Sequence, residues 1–100
     1  MQDLVRQAQM MQKKMAKMQE ELNSRTVEAS SGGGMVTVRV TGGQEVVEIR
    51  IEKDVVDPEE VEMLQDLILA AANDALKRAR EMVQNEMAQL TGGMKIPGLF

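Results

Sequence analysis

Met35-Val36-Thr37-Val38-Arg39-Val40-Thr41-Gly42-Gly43-Gln44-Glu45-Val46-Val47-Glu48-Ile49-Arg50-Ile51-Glu52 is the stretch that decides the fold. Val36, Val38 and Val40 alternate with Thr37, Arg39 and Thr41; Val47, Ile49 and Ile51 alternate with Glu48, Arg50 and Glu52. A period of two sends successive side chains to opposite faces, so each run predicts a strand with one buried face. Gly42-Gly43-Gln44 reads as the turn between them, because glycine reaches positive φ without steric cost. Upstream, Thr26 to Ser31 forms a less regular strand with Val27 and Ala29 inward, and Ser31-Gly32-Gly33-Gly34 makes the other turn. The expectation is a three-stranded antiparallel meander.

Both flanks change period. Before the sheet, Leu4, Ala8, Met11, Met15, Met18 and Leu22 recur at alternating intervals of four and three, a heptad seam of coiled-coil type, which predicts a helix from Gln2 to Leu22. After the sheet, Asp57-Pro58-Glu59-Glu60 is a helix start: Asp57 caps, Pro58 suits the first helical position, and Glu60 is placed for a capping box. Val61, Leu64, Ile68, Ala72, Ala75, Ala79, Met82 and Leu90 then follow a stripe of period 3.6, which Gly92 and Gly93 stop. The sequence thus divides into one α-β-β-β-α domain over residues 1–91 and a tail, 92–100, that is expected to be flexible. The fold class is α+β.

Length adds a constraint. At 1.5 Å per residue a helix from Pro58 to Leu90 is about 50 Å long, whereas strands of five or six residues span roughly 17 to 20 Å. One sheet cannot cover it, and a soluble monomer rarely tolerates long exposed apolar stretches. The expectation is an intertwined homodimer with protruding helical arms. Ala70, Ala71, Ala72, Ala75 and Ala79 permit close approach, either by the chain's own sheet or by a partner.

Composition narrows the chemistry. The 100 residues include no Cys and no His. Disulfides, thiolate or imidazole metal sites and a Ser-His-Asp triad are therefore excluded, and an enzyme, a metal and a cofactor are not expected. Phe100 is the only aromatic, so there is no platform for stacking bases. The Gly32-Gly33-Gly34 run lacks the Lys-Ser or Lys-Thr of a phosphate-cradling loop. No signal-like or membrane-spanning run occurs, so the expected compartment is the cytoplasm.

Net charge is −4, but the charge is polarised: residues 1–25 carry +2, residues 26–53 carry −1 and residues 54–100 carry −5. On the first helix Arg6, Lys13 and Lys17 lie opposite the apolar seam, with Lys14 beside them. This basic stripe reads either as a phosphate-binding face or as a solvated one in which Lys17 pairs with Glu20 or Glu21. Lys77, Arg78 and Arg80 cluster on the second helix, where Asp74 is placed to pair with Arg78. Arg39 and Arg50 have Glu28, Glu48 and Glu52 as cross-strand partners.

The whole chain resembles the YbaB/EbfC family of bacterial nucleoid-associated proteins. Three features carry the resemblance: Gln7-Ala8-Gln9-Met10-Met11-Gln12-Lys13-Lys14-Met15, the Gly-rich turn leading into Met35-Val36-Thr37-Val38, and Gly92-Gly93-Met94-Lys95-Ile96-Pro97-Gly98-Leu99-Phe100. Asp57-Pro58-Glu59, Leu64-Gln65-Asp66-Leu67-Ile68 and Ala70-Ala71-Ala72-Asn73-Asp74-Ala75 agree with it. The resemblance implies a homodimer that binds duplex DNA at the nucleoid, with a role in nucleoid organisation and gene regulation. By region and charge it points to Arg6, Lys13, Lys14 and Lys17, with Lys77, Arg78 and Arg80 behind them. The competing reading is an acidic adaptor or chaperone-like dimer whose Met-rich helix faces bind a protein partner, for instance in DNA repair or secretion.

Overall fold

A computed structural model describes residues 2–90, so the tail expected over 92–100 lies outside the described residues. Helix α1 (Gln2–Ser24) leads into strands β1 (Thr26–Ser31), β2 (Val36–Thr41) and β3 (Val46–Ile51), and helix α2 (Val61–Leu90) follows after two short turns. The strands form an antiparallel sheet in the order β1-β2-β3, the expected meander.

Register sorts the faces. Glu28 stands opposite Arg39, and Arg39 opposite Glu48, while Ala29, Val38 and Ile49 form the neighbouring row on the other face. The polar face neutralises itself through Arg39–Glu48 at 3.3 Å, Arg50–Glu28 at 3.2 Å and a Ser30–Thr37 hydroxyl pair at 2.9 Å. The strict alternation expected of β3 is interrupted: Val40 pairs with Val46, which makes Val47 an extra residue in a bulge.

The other face carries the core. Ala29, Val36, Val38 and Val40 pack against Ala71, Ala75 and Ala79, all buried. The three alanines recur every four residues, so they share one helix face, and without bulky side chains α2 sits close on the valines. Of the small-residue run, Ala71, Ala75 and Ala79 therefore serve the chain's own sheet, with Ala72 partly buried beside them and Ala70 exposed. On one flank of α2, Arg78 donates to the Glu28 carbonyl at 3.3 Å, which ties the helix to β1. The helix expected from Pro58 begins as a 3-10 turn, Pro58–Glu60, that leads into α2, and there the Asp57 carboxylate accepts from the Glu59 N–H at 2.9 Å and satisfies an otherwise orphan donor.

A helix about 10 Å wide spans two strands spaced about 4.8 Å apart, and α2 lies over β1 and β2. The inward side chains of β3 are left uncovered, with Ile49 48% exposed. Within this chain β3 therefore lacks the one buried face expected of each hairpin strand.

Beyond the sheet, α2 meets α1. Arg25 pairs with Glu86 at 3.4 Å, and Leu90 lines a depression with Lys14, Lys17, Met18 and Glu21. The helices thus run antiparallel, and the first half of α1 extends past Leu90 as an arm. Its root is the β2–β3 turn, where Gly42 N–H donates to the Arg25 carbonyl at 2.9 Å and Gly43 N–H to the Asn23 carbonyl at 3.3 Å. Positive φ in that turn falls on Gln44, not on either glycine. Gly42 is needed for space, since a Cβ there would collide with the Leu22 carbonyl.

Candidate nucleic-acid interface

The α1 arm displays its cations as the heptad spacing requires. Leu22 is buried and Met15 and Met18 are half-buried, which fixes the inward side of the helix. Arg6, Lys13 and Lys17 stand on the opposite side, all exposed. They are separated along the axis by about 10 Å and about 6 Å at 1.5 Å per residue. Lys14, also exposed, flanks them.

Charge pairing separates these residues from the other cations. Among the described residues the ion pairs are Arg25–Glu86, Arg39–Glu48, Arg50–Glu28 and Arg78–Asp74. Arg6, Lys13, Lys14 and Lys17 take part in none of them. Glu20 and Glu21, one turn from Lys17, do not neutralise it. An ammonium or guanidinium with no carboxylate partner keeps its full field and its hydrogen-bond donors for an incoming anion.

On α2 the three candidate cations divide. Lys77 and Arg80 are exposed and take part in no ion pair among the described residues. They flank buried Ala79, so they stand at the level of the sheet, away from the arm. Arg78 is held by Asp74 at 3.3 Å and by the Glu28 carbonyl, and fastens the helix flank to β1.

The sequence pattern did not isolate a second surface, formed by Ile49 and Ile51 on β3 and the apolar flank of α2 opposite Arg78. Leu69, on that helix, is 60% exposed. The available signal was the width of one helix against three strands of period two. Among the described residues no helix is long and apolar enough to cross a membrane.

The model of the YbaB/EbfC DNA-binding family matches residues 1–94. The chain is 57% identical over its whole length to a nucleoid-associated protein of Alkaliphilus metalliredigens, covering 88% of that relative. It is 60% identical to one of Acetivibrio thermocellus over 98% of this chain and 88% of the relative. An uncharacterized Helicobacter pylori protein of known crystal structure superposes with a TM-score of 0.72 at 27% identity, over 88% of this chain and 92% of that one. With the family model matched across the arm, the sheet and the long helix alike, the chain belongs to the YbaB/EbfC DNA-binding family.

Proposed function

We propose that the protein is a nucleoid-associated homodimer of the bacterial cytoplasm that binds duplex DNA through the basic faces of its α1 arms. The observation that carries this reading is the set of four arm cations, Arg6, Lys13, Lys14 and Lys17, that share no ion pair with a described carboxylate, in a chain of a DNA-binding family. Cations presented in this way engage phosphates and discriminate little between sequences. Lys77 and Arg80 add a weaker second patch. Coverage of many sites at low specificity supports a role in nucleoid organisation, and through it in gene regulation. A second copy supplies the cover that Ile49, Ile51 and Leu69 lack, and presents two arms together.

The test is a fluorescence-anisotropy titration of mixed-sequence duplex DNA at several salt concentrations. Affinity is expected to fall log-linearly with salt, and Lys13→Glu with Lys17→Glu to flatten the slope by about one for each phosphate that the arm no longer neutralises. Unchanged binding in that double variant would remove α1 from the interface. The adaptor reading draws support from exposed Met10 and Met11, since Met-rich faces adapt to partner surfaces. It takes precedence if no DNA binding appears at low salt and a nuclease-resistant protein partner co-purifies.

A further inference from the structure

The apolar seam of α1 outlasts its cover. Leu22 is buried and Met18 and Met15 are half-buried, but Met11 is 39% and Leu4 67% exposed, with Ala8 exposed between them. Helix α2 packs beside the root of the seam, and Leu90, its last described residue, stands near Met18. From Met15 to Leu4 is about 16 Å of helix.

Heptad spacing specifies what fits there: a second helix with apolar residues at the same interval. The flanks say which helix. With Ala8 and Met15 at the a positions and Leu4 and Met11 at d, the e and g positions of the open stretch are Val5, Gln12, Gln7 and Lys14. Three of these are uncharged, so the seam carries little to select an acidic or a basic helix, and it does not repel a copy of itself. In an antiparallel pair a packs against d, so Leu4 faces Met15 of the copy and Ala8 faces Met11. Every layer is then apolar, and the small Ala8 meets a long, adaptable side chain. Lys14 faces Gln7 and Val5 faces Gln12, so no like charges meet. A parallel pair would set Ala8 on Ala8 and leave a gap at the centre. Antiparallel is also the direction in which α2 meets the root of α1, and a copy that reaches Met15 stops short of Leu90.

We infer that the arm of one chain pairs antiparallel with the arm of a second copy along Leu4, Ala8, Met11 and Met15. The seam lies opposite Arg6, Lys13 and Lys17, so pairing leaves that basic face open. Two short helices bury far less than about 1,200 Å², the low end for stable complexes, so the pairing fills only at high protein concentration. It requires neither DNA nor the homodimer of the proposed function. Its consequence rests on that homodimer: a dimer with an arm surface on each protomer joins others into open chains.

The absence of cysteine allows a single spin label at Gln2→Cys. Labelled chains are mixed, without DNA, with separate chains carrying ¹³C-methyl methionine. At high concentration the label is expected to broaden Met18 most, Met15 less and Met11 least, because antiparallel pairing lays residue 2 beside residue 17 of the copy. The broadening should fade on dilution, and it should vanish when both chains carry Leu4→Gln and Ala8→Gln, which are exposed, neutral changes that keep the helix. No broadening at high concentration overturns the proposal, and is the result if another segment of the chain already covers the seam. Broadening strongest at Met11 means a parallel pair and overturns it too. Broadening that persists on dilution, or in the glutamine variant, places the contact inside one homodimer or on another surface, and the proposal fails. None of these outcomes depends on whether the arm cations bind DNA.

Discussion

Gly42 shows how one missing side chain sets the geometry of an arm. It is buried at the junction of α1 with the β2–β3 turn, and the Leu22 carbonyl occupies the place of its absent Cβ. Gly42→Ala must push backbone against backbone, so it is expected to cost about 1–3 kcal/mol, within the range of core overpacking. At Gly43 the nearest atom to an added Cβ is the Asn23 carbonyl oxygen at 3.4 Å, an ordinary contact, so Gly43→Ala should cost far less. Urea denaturation of the two variants side by side checks this, and equal midpoints would dismiss the close-approach account. The sequence marks both glycines as turn residues suited to positive φ, but that φ falls on Gln44, and what the turn requires of Gly42 is room. Only the fold brings Leu22 to Gly42. The arm cations were legible from spacing alone, because a helix face depends on the period and little else. Arg78 was legible as the partner of Asp74, whereas its bond to the Glu28 carbonyl joins residues 50 apart and follows from packing.

Helix α2 is held by a capped start and a narrow middle. Replacing Asp57 with Ala orphans the Glu59 N–H and should lower stability by about 1 kcal/mol, read as a shift in the unfolding midpoint. Ala75→Leu forces a larger side chain between the helix and the β2 valines, where Ala75 has no exposure at all. It is expected to destabilise by about 1–3 kcal/mol, and near-wild-type stability would mean that α2 does not sit tightly on the sheet. The strand and helix periods made each element legible, and the Asp57-Pro58 pair marked where α2 begins. The bulge at Val47 was not legible, since Val46 and Val47 are both apolar and either can continue an alternating strand. The alanine run likewise permitted two partners. The choice fell to the sheet because β1 and β2 present small and β-branched residues that leave room for a close helix.

At the level of the molecule, one protomer has a radius of gyration of 18.9 Å, against about 13 Å for a compact domain of 100 residues. It measures 69 × 22 × 16 Å. Such a body has much surface for its small core, and in the proposed homodimer the uncovered Ile49 is where a second copy would gain most. Ile49→Asp is expected to leave the protomer folded, since the side chain is already half exposed, and to shift sedimentation from dimer to monomer. DNA affinity should fall with it, because two arms on one body bind with an effective concentration that a single arm lacks. A dimer that persists in the Ile49→Asp variant would place the interface elsewhere. The long axis also orders the charge: the turn before α2 and its first residues, with Glu59, Glu60 and Glu62, lie at the far end from the arm that bears Arg6, Lys13 and Lys14. Each protomer is in effect a rod with a positive tip and a negative heel. Near a polyanion such a rod experiences a torque before contact, so most encounters begin tip first, and raising the salt slows this alignment even where the bound state is unchanged.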